Sequence, residues 1–182
     1  MSMHGIIFNQ FNQFVVKTYG IYTWGQICDK LDSKSLHFPT QVYADEEFFD
    51  IVQAAAAQIK IGKEELMIAF GEFIAPTLLK VYSASIQPSW TIFDLLEHTE
   101  NTMHKAVRWA DKLADPPKLV CQRVTVNEVV IDYSSRRKMV AFGVGIIKGL
   151  SKSYNEKLDI TRIDDVKSSQ LRIRRVAPSA PL

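Results

Sequence analysis

At 182 residues the chain fits one domain, with room at most for a small second subdomain. Hydrophobic residues make up 47% and charged residues 23%, which excludes a disordered tail protein or a low-complexity fibre and leaves material for one large core with a pocket. The net charge of +2 is small for a general nucleic-acid-binding domain, but it is uneven: residues 1–132 hold 11 Lys/Arg against 16 Asp/Glu, residues 133–182 hold 11 against 4. The basic part either covers an anionic ligand or partner or is a solvated surface, and charge alone favours the surface. Cys28 and Cys121 form neither a CxxC nor a disulfide framework. Met1-Ser2-Met3-His4-Gly5 has no basic n-region, and the longest apolar run, Met139 to Ile147, is about half a membrane span. The expectation is a soluble cytoplasmic protein with no membrane insertion and no nucleic-acid partner.

The first two thirds of the chain read helical. Ile6, Ile7, Phe11, Phe14 and Val15 form one apolar stripe that Gly20 closes. Thr23 is placed to cap a second helix carrying Trp24, Ile27 and Leu31. Asp45-Glu46-Glu47 opens a third, where acidic residues suit the positive helix end. Gly62 ends it and the pattern restarts from Glu64 to Phe73, with a further short helix expected from Pro76 to about Tyr82. Thr91 to Leu113 is the longest helical candidate, stopped by Pro116-Pro117.

Beyond the prolines the period changes to two. Val120 to Val126 and Val129 to Tyr133 read as strands joined near Asn127-Glu128. Met139 to Tyr154 returns to helix, with Gly143, Gly145 and Gly149 allowing close approach. Leu158 to Ile163 and Leu171 to Ile173 read as two more strands that turn near Asp164-Asp165, and 177–182 as a frayed tail. Helices followed by strand–strand–helix–strand–strand predict a mixed α+β fold.

Common catalytic motifs are absent: there is no GxxxxGK[ST], HExxH or GxSxG, and no visible acid–base or nucleophile–base constellation. Two features remain. His104 lies within the long helix with Leu96, Glu100, Val107 and Arg108 on its face, a set that leaves its burial open. Such a histidine, taken alone, is more often a surface or hydrogen-bonded core residue than a metal ligand. His98 lies about 120° around the helix, so the two do not share a ligand easily. Tyr133-Ser134-Ser135-Arg136-Arg137 ends a strand, and alternation puts Tyr133, Ser135 and Arg137 on one face. A phenol, a hydroxyl and a guanidinium over about 14 Å can hold a pair of carboxylates. Equally, they are incidental polar residues at a strand end.

Tyr133-x-Ser135-x-Arg137, 29 residues after His104, resembles the signature of the haem-nitric oxide/oxygen binding (H-NOX) domains, which are also the sensory domains of soluble guanylate cyclase. The resemblance spans nearly the whole chain: Met3-His4-Gly5-Ile6-Ile7, Tyr19-Gly20, Ala69-Phe70-Gly71, Met103-His104, Pro117 and Arg136-Arg137-Lys138-Met139. It implies an α+β fold, a helical N-terminal portion packed on a C-terminal portion with a four-stranded antiparallel sheet. The whole of 1–182 would be a single haem-binding sensor domain. Its helical subdomain would cover about 1–65, and its haem-ligand and sheet subdomain about 66–176. It further implies haem b, with His104 as proximal ligand to iron. Tyr133, Ser135 and Arg137 would bind the propionates, and Pro117 would press on the macrocycle.

Oxygen-binding members carry a distal tyrosine where this chain has Phe142. Ile7, Phe11, Leu78 and Ile146 look like further apolar wall residues, and Ile74 adds no donor. Dioxygen gains from a donor far more than nitric oxide does, so the resemblance implies a sensor that binds nitric oxide and CO. In the family, nitric oxide weakens or breaks the iron–histidine bond and the domain shifts. The partner implied is a histidine kinase or cyclic-di-GMP enzyme on a separate chain. The alternative is a non-haem adaptor or small-ligand-binding regulator of the same fold. An enzyme is not expected.

Overall fold

The computed structural model describes residues 2–31, 37–110, 112, 114–164 and 169–176. The tail at 177–182 and the Asp165 half of the turn expected there lie outside the described residues. Helix α1 (Gly5–Tyr19) and α2 (Ile21–Leu31) meet at Gly20, whose φ of 93° is open to glycine and costly for other residues. Thr23 does not cap α2. Gly20 already makes the turn, its carbonyl accepts from Trp24 N, and the Thr23 hydroxyl donates to the Tyr19 carbonyl at 2.7 Å. An antiparallel ribbon of β1 (Ser2–His4) and β2 (Val42–Ala44) pairs Met3 with Tyr43. Strands of three residues leave no readable period.

Helix α3 (Asp45–Ile59) opens on its three acids as expected, and α4 (Lys63–Val81) follows Gly62. Pro76 does not start a helix; it lies inside α4. An interior proline costs about 3 kcal/mol, and here the packing of α4 against α7 (Val140–Ser153) carries the helix through. Small residues make that seam: a Cβ on Gly71 would lie 2.7 Å from Ile146 N, and one on Gly149 would lie 2.7 Å from the Glu72 carbonyl oxygen.

The long helix expected from Thr91 is broken in character. Thr91 and Asp94 form a reciprocal cap at the start of α5 (Ile92–His98), residues Glu100–His104 form a π turn, and α6 (Lys105–Ala110) continues. Within the π turn the His104 N–H donates to the Thr99 carbonyl, five residues back, at 3.1 Å. Periodicity alone does not register one extra residue per turn. Such turns occur mostly as single insertions in helices and frequently at functional sites.

Strands β3 (Lys118–Thr125), β4 (Glu128–Ser134), β5 (Leu158–Asp164) and β6 (Ser169–Arg175) form an antiparallel sheet in the order β3-β4-β6-β5. The fold is the mixed α+β arrangement expected. One core is helical, with Phe8, Phe11, Phe14, Phe48 and Phe70 in mutual edge and tilted ring contacts. The other joins α5 and α7 to the inner sheet face through Leu95, Ile131, Ile147, Leu171 and Ile173. Helix α7 serves both: Phe142 stacks on Phe70 at 5.0 Å between ring centroids, while Val144 and Ile147 face the sheet core.

Candidate functional site

Between the two cores lies a cavity of about 320 Å³, within the general range of ligand pockets. Its walls are mainly apolar: Ile7 from α1, Leu78 and Leu79 near the end of α4, Leu95 and Leu96 from α5, Met103 from the π turn, Ile131 from β4, and Phe142 and Ile146 from α7. Pro117, His104, Tyr133, Ser135 and Arg137 line the same space. The chain thus brings together nine of the ten residues singled out in the sequence. Phe11 is the exception. It is 1% exposed inside the helical core, where the rings of Phe14, Phe48 and Phe70 surround it, and it does not line the cavity. Ile74, also 1% exposed, belongs to that core too. Helical period places a residue on a buried face but does not distinguish packed core from cavity wall.

His104 is mostly buried, with 17% of its side chain exposed. Its Nδ1 lies 3.0 Å from Glu100 Oε2. An ionised carboxylate only accepts, so this contact puts the proton on Nδ1 and the lone pair on Nε2. Burial lowers the imidazole's pKa, and outweighs the opposing hydrogen bond and charge of Glu100. The neutral ring, the form that binds metals, is therefore favoured at neutral pH. Glu100 also takes Arg108 Nη1 on Oε1 at 2.8 Å and the Leu119 N–H on Oε2 at 3.1 Å. Burial by itself would raise its pKa, but the hydrogen bonds from Arg108, His104 and Leu119 hold it below the ordinary range.

The other polar group is at the end of β4. Tyr133 is buried on the pleat, but the strand stops at Ser134. Residues 135–138 turn instead, with Lys138 N donating to the Ser135 carbonyl and Lys138 at φ 51°. Arg137 therefore reaches the face of Tyr133 and Ser135 by a turn, not by strand alternation. Arg136 is exposed and does not line the cavity. Burial raises the Tyr133 pKa, opposed by a Ser135 hydrogen bond and the Arg137 charge, so the three groups stand within reach of one another. Ser135 Oγ accepts from Arg137 N at 3.2 Å.

The sequence reading missed what holds Arg137. Its Nε donates to Asp45 Oδ2 at 2.7 Å, Nη2 to the Ser2 carbonyl at 2.6 Å, and Nη1 to the Asp115 carbonyl. Asp45 is 2% exposed, and its Oδ1 has no partner among the described residues. A guanidinium has five N–H groups, so one on each terminal nitrogen remains for a ligand. A partner 92 residues away leaves no local sequence signal.

A family model described as haem-NO-binding matches residues 4–162, and the chain belongs to that H-NOX family. Among curated relatives, two soluble guanylate cyclases of Drosophila melanogaster, 89Da and 89Db, are 25% and 24% identical over 156 residues. Those residues are 84% of this chain but 23% of each relative, so the chain spans about a quarter of their length. Among solved structures, the H-NOX protein from S. oneidensis in the Fe(II)NO state aligns with a TM-score of 0.87 at 23% identity, covering 96% of this chain and 99% of that one. The Fe(II) unliganded H-NOX protein from K. algicida gives 0.87 at 22%, covering 99% and 100%. At these identities the likeness establishes a shared fold. No helix among the described residues is long and apolar enough to cross a membrane.

Proposed function

We propose that the chain is a haem-based gas sensor. It holds haem b in the cavity between the two cores, binds nitric oxide and CO, and signals to a separate protein in the cytoplasm. The observation that carries this reading is the convergence of His104 with Tyr133, Ser135 and Arg137 on one apolar cavity. The donor set fits the group. A flat apolar ring with two carboxylates at one edge needs apolar walls and donors at one end, and one imidazole for its iron. Among the described residues His104 has no cluster of His, Cys, Asp or Glu around it that would hold a bare ion, and a pre-formed macrocycle needs none.

Haem, when bound, would supply an iron able to take a diatomic gas. The protein does the rest. His104 presents a neutral imidazole whose ring plane and tautomer Glu100 sets. Tyr133, Ser135 and the two remaining Arg137 N–H groups receive the carboxylates, while Asp45 and the Ser2 carbonyl hold the guanidinium in place. Pro117, rigid and on the cavity wall, would press on the ring. Ile7, Leu78, Phe142 and Ile146 exclude water and offer no hydrogen-bond donor.

The signal starts from the π turn. Release of His104 would free this segment to rewind and let the helical portion shift against the sheet portion. The subdomains that move are about 1–65 and about 66–176. The receiving chain is a histidine kinase or cyclic-di-GMP enzyme, the kind of partner that the family resemblance implies. The test is the visible absorption spectrum of the chain expressed with haem available. A Soret band that changes on adding nitric oxide supports the reading, and a colourless protein that takes up no added haemin overturns it.

A further inference from the structure

We infer that a second site, a cleft adjoining the cavity, binds a phosphate-bearing small molecule. Beside the end of β4 lies an open cleft of about 710 Å³ lined by Arg108, Lys112, Lys118 and Arg136, with Ser134 and Ser135 on its wall. These cations come from separate pieces of chain: α6, the turn after it, the first residue of β3, and the turn after β4. Lys118 and Ser134 are directly paired across the strands, so an ammonium and a hydroxyl stand side by side on one face of the sheet.

The acids in the cleft do not neutralise this charge. Glu100 is committed to Arg108, His104 and the Leu119 N–H. Among the described residues, Asp115 is the one other carboxylate on the lining, against Lys112, Lys118 and Arg136. None of those three cations has a hydrogen-bond or ion-pair partner among the described residues, and all three are exposed. Elsewhere the basic residues of the sheet are mostly spent on acids: Arg123 on Asp94 and Glu97, Arg162 on Glu64 and Asp164, Arg172 and Arg174 on Glu128, Arg175 on Glu156.

Three uncommitted cations and the Ser134 hydroxyl in one concave space are the recognition chemistry of phosphate oxygens. The volume lies within the general range for small ligands. The occupant is a polyphosphate group, free or carried on a nucleoside.

The test is isothermal titration calorimetry of the full chain as purified, with or without haem, at fixed ionic strength, with inorganic tripolyphosphate and ATP as probes. Saturable one-to-one binding is expected, weakened at least tenfold in the Lys118→Glu/Arg136→Glu double variant and unchanged in Lys148→Glu, an exposed lysine of α7 outside the cleft. Equal affinity for the two probes identifies the phosphate chain as the whole determinant, whereas tighter ATP binding places the nucleoside in the cleft as well. Absence of saturable binding overturns the inference, and so does equal loss in Lys148→Glu, which marks diffuse charge. A Soret spectrum and thermal midpoint that match wild type in the double variant show that its haem site and fold are intact. A failure of this site is thus separate from a failure of the haem reading.

Discussion

Arg137 Nε lies 2.7 Å from Asp45 Oδ2, an ion pair whose side chains are 9% and 2% exposed and which ties the first residue of α3 to the turn after β4. It joins the helical portion to the sheet portion at the mouth of the cavity. Removing one partner of a buried pair leaves the other charge buried and unpaired, which costs about 3–5 kcal/mol. Asp45→Ala should lower the urea stability of the haem-free chain by an amount of that order. Loss below about 1 kcal/mol would mean that Arg137 finds water in its place.

Arg137→Ala should weaken haem retention well beyond Arg136→Ala, since only Arg137 lines the cavity. A hydrogen bond to a charged group is worth about 1.5–3 kcal/mol, roughly ten- to a hundredfold in affinity. Haem transfer to apomyoglobin measures it. Equal transfer rates for the two variants would remove Arg137 from the site.

The glycines of α7 separate two effects. A Cβ on Gly145 would lie 2.9 Å from Gly71 Cα and against the Ile68 carbonyl, whereas one on Gly143 would meet the Tyr133 ring at 3.6 Å, an ordinary contact. Gly145→Ala should destabilise by about 1–3 kcal/mol through overpacking. Gly143→Ala should stabilise by up to about 1 kcal/mol through helix propensity. Chemical denaturation of both variants gives the two signs directly.

The α5 cap predicts an acid-side effect. Hydrogen bonds from the Thr91 hydroxyl and backbone lead the influences that hold the Asp94 carboxyl below its usual range. A carboxylate lowered in the folded state adds stability that is present above its unfolded pKa and lost as pH falls through the folded one. Thr91→Ala should cost about 1 kcal/mol near neutral pH. It should also flatten the fall in stability below about pH 4. A parallel pH profile for wild type and variant would show that Thr91 does not set the Asp94 pKa.

Gas choice follows from the wall at Phe142. The reduced chain should take nitric oxide and CO and keep its unliganded spectrum in air over the time of a scan, because Phe142, Ile146, Ile7 and Leu78 donate nothing. A stable dioxygen spectrum would require a donor elsewhere on the wall. Tyr82 also lines the cavity and carries a phenol, so Tyr82→Phe would be the next variant to measure.

Periodicity read most of the helices and all four strands of the large sheet, because each carries an apolar stripe or alternation long enough to show. It failed where the determinant is not local. Pro76 continues a helix because α7 packs beside it, and the π turn at Glu100–His104 adds one residue that no apolar pattern records. The β1–β2 ribbon is three residues per strand. In the cavity, spacing and motif named His104, Tyr133, Ser135 and Arg137, but Asp45 and the Ser2 carbonyl reach Arg137 across the chain. Phe11 shows the converse, an apolar stripe residue that faces core and not cavity.

The most direct measurement is the absorption spectrum of ferrous His104→Gly, with and without added imidazole. The variant should fold, since His104 sits on the cavity wall and outside both buried cores. The wild-type Soret band should be lost without imidazole and return in part with it. A variant that keeps the wild-type ferrous spectrum without imidazole would contradict the assignment of His104 as the iron's protein ligand.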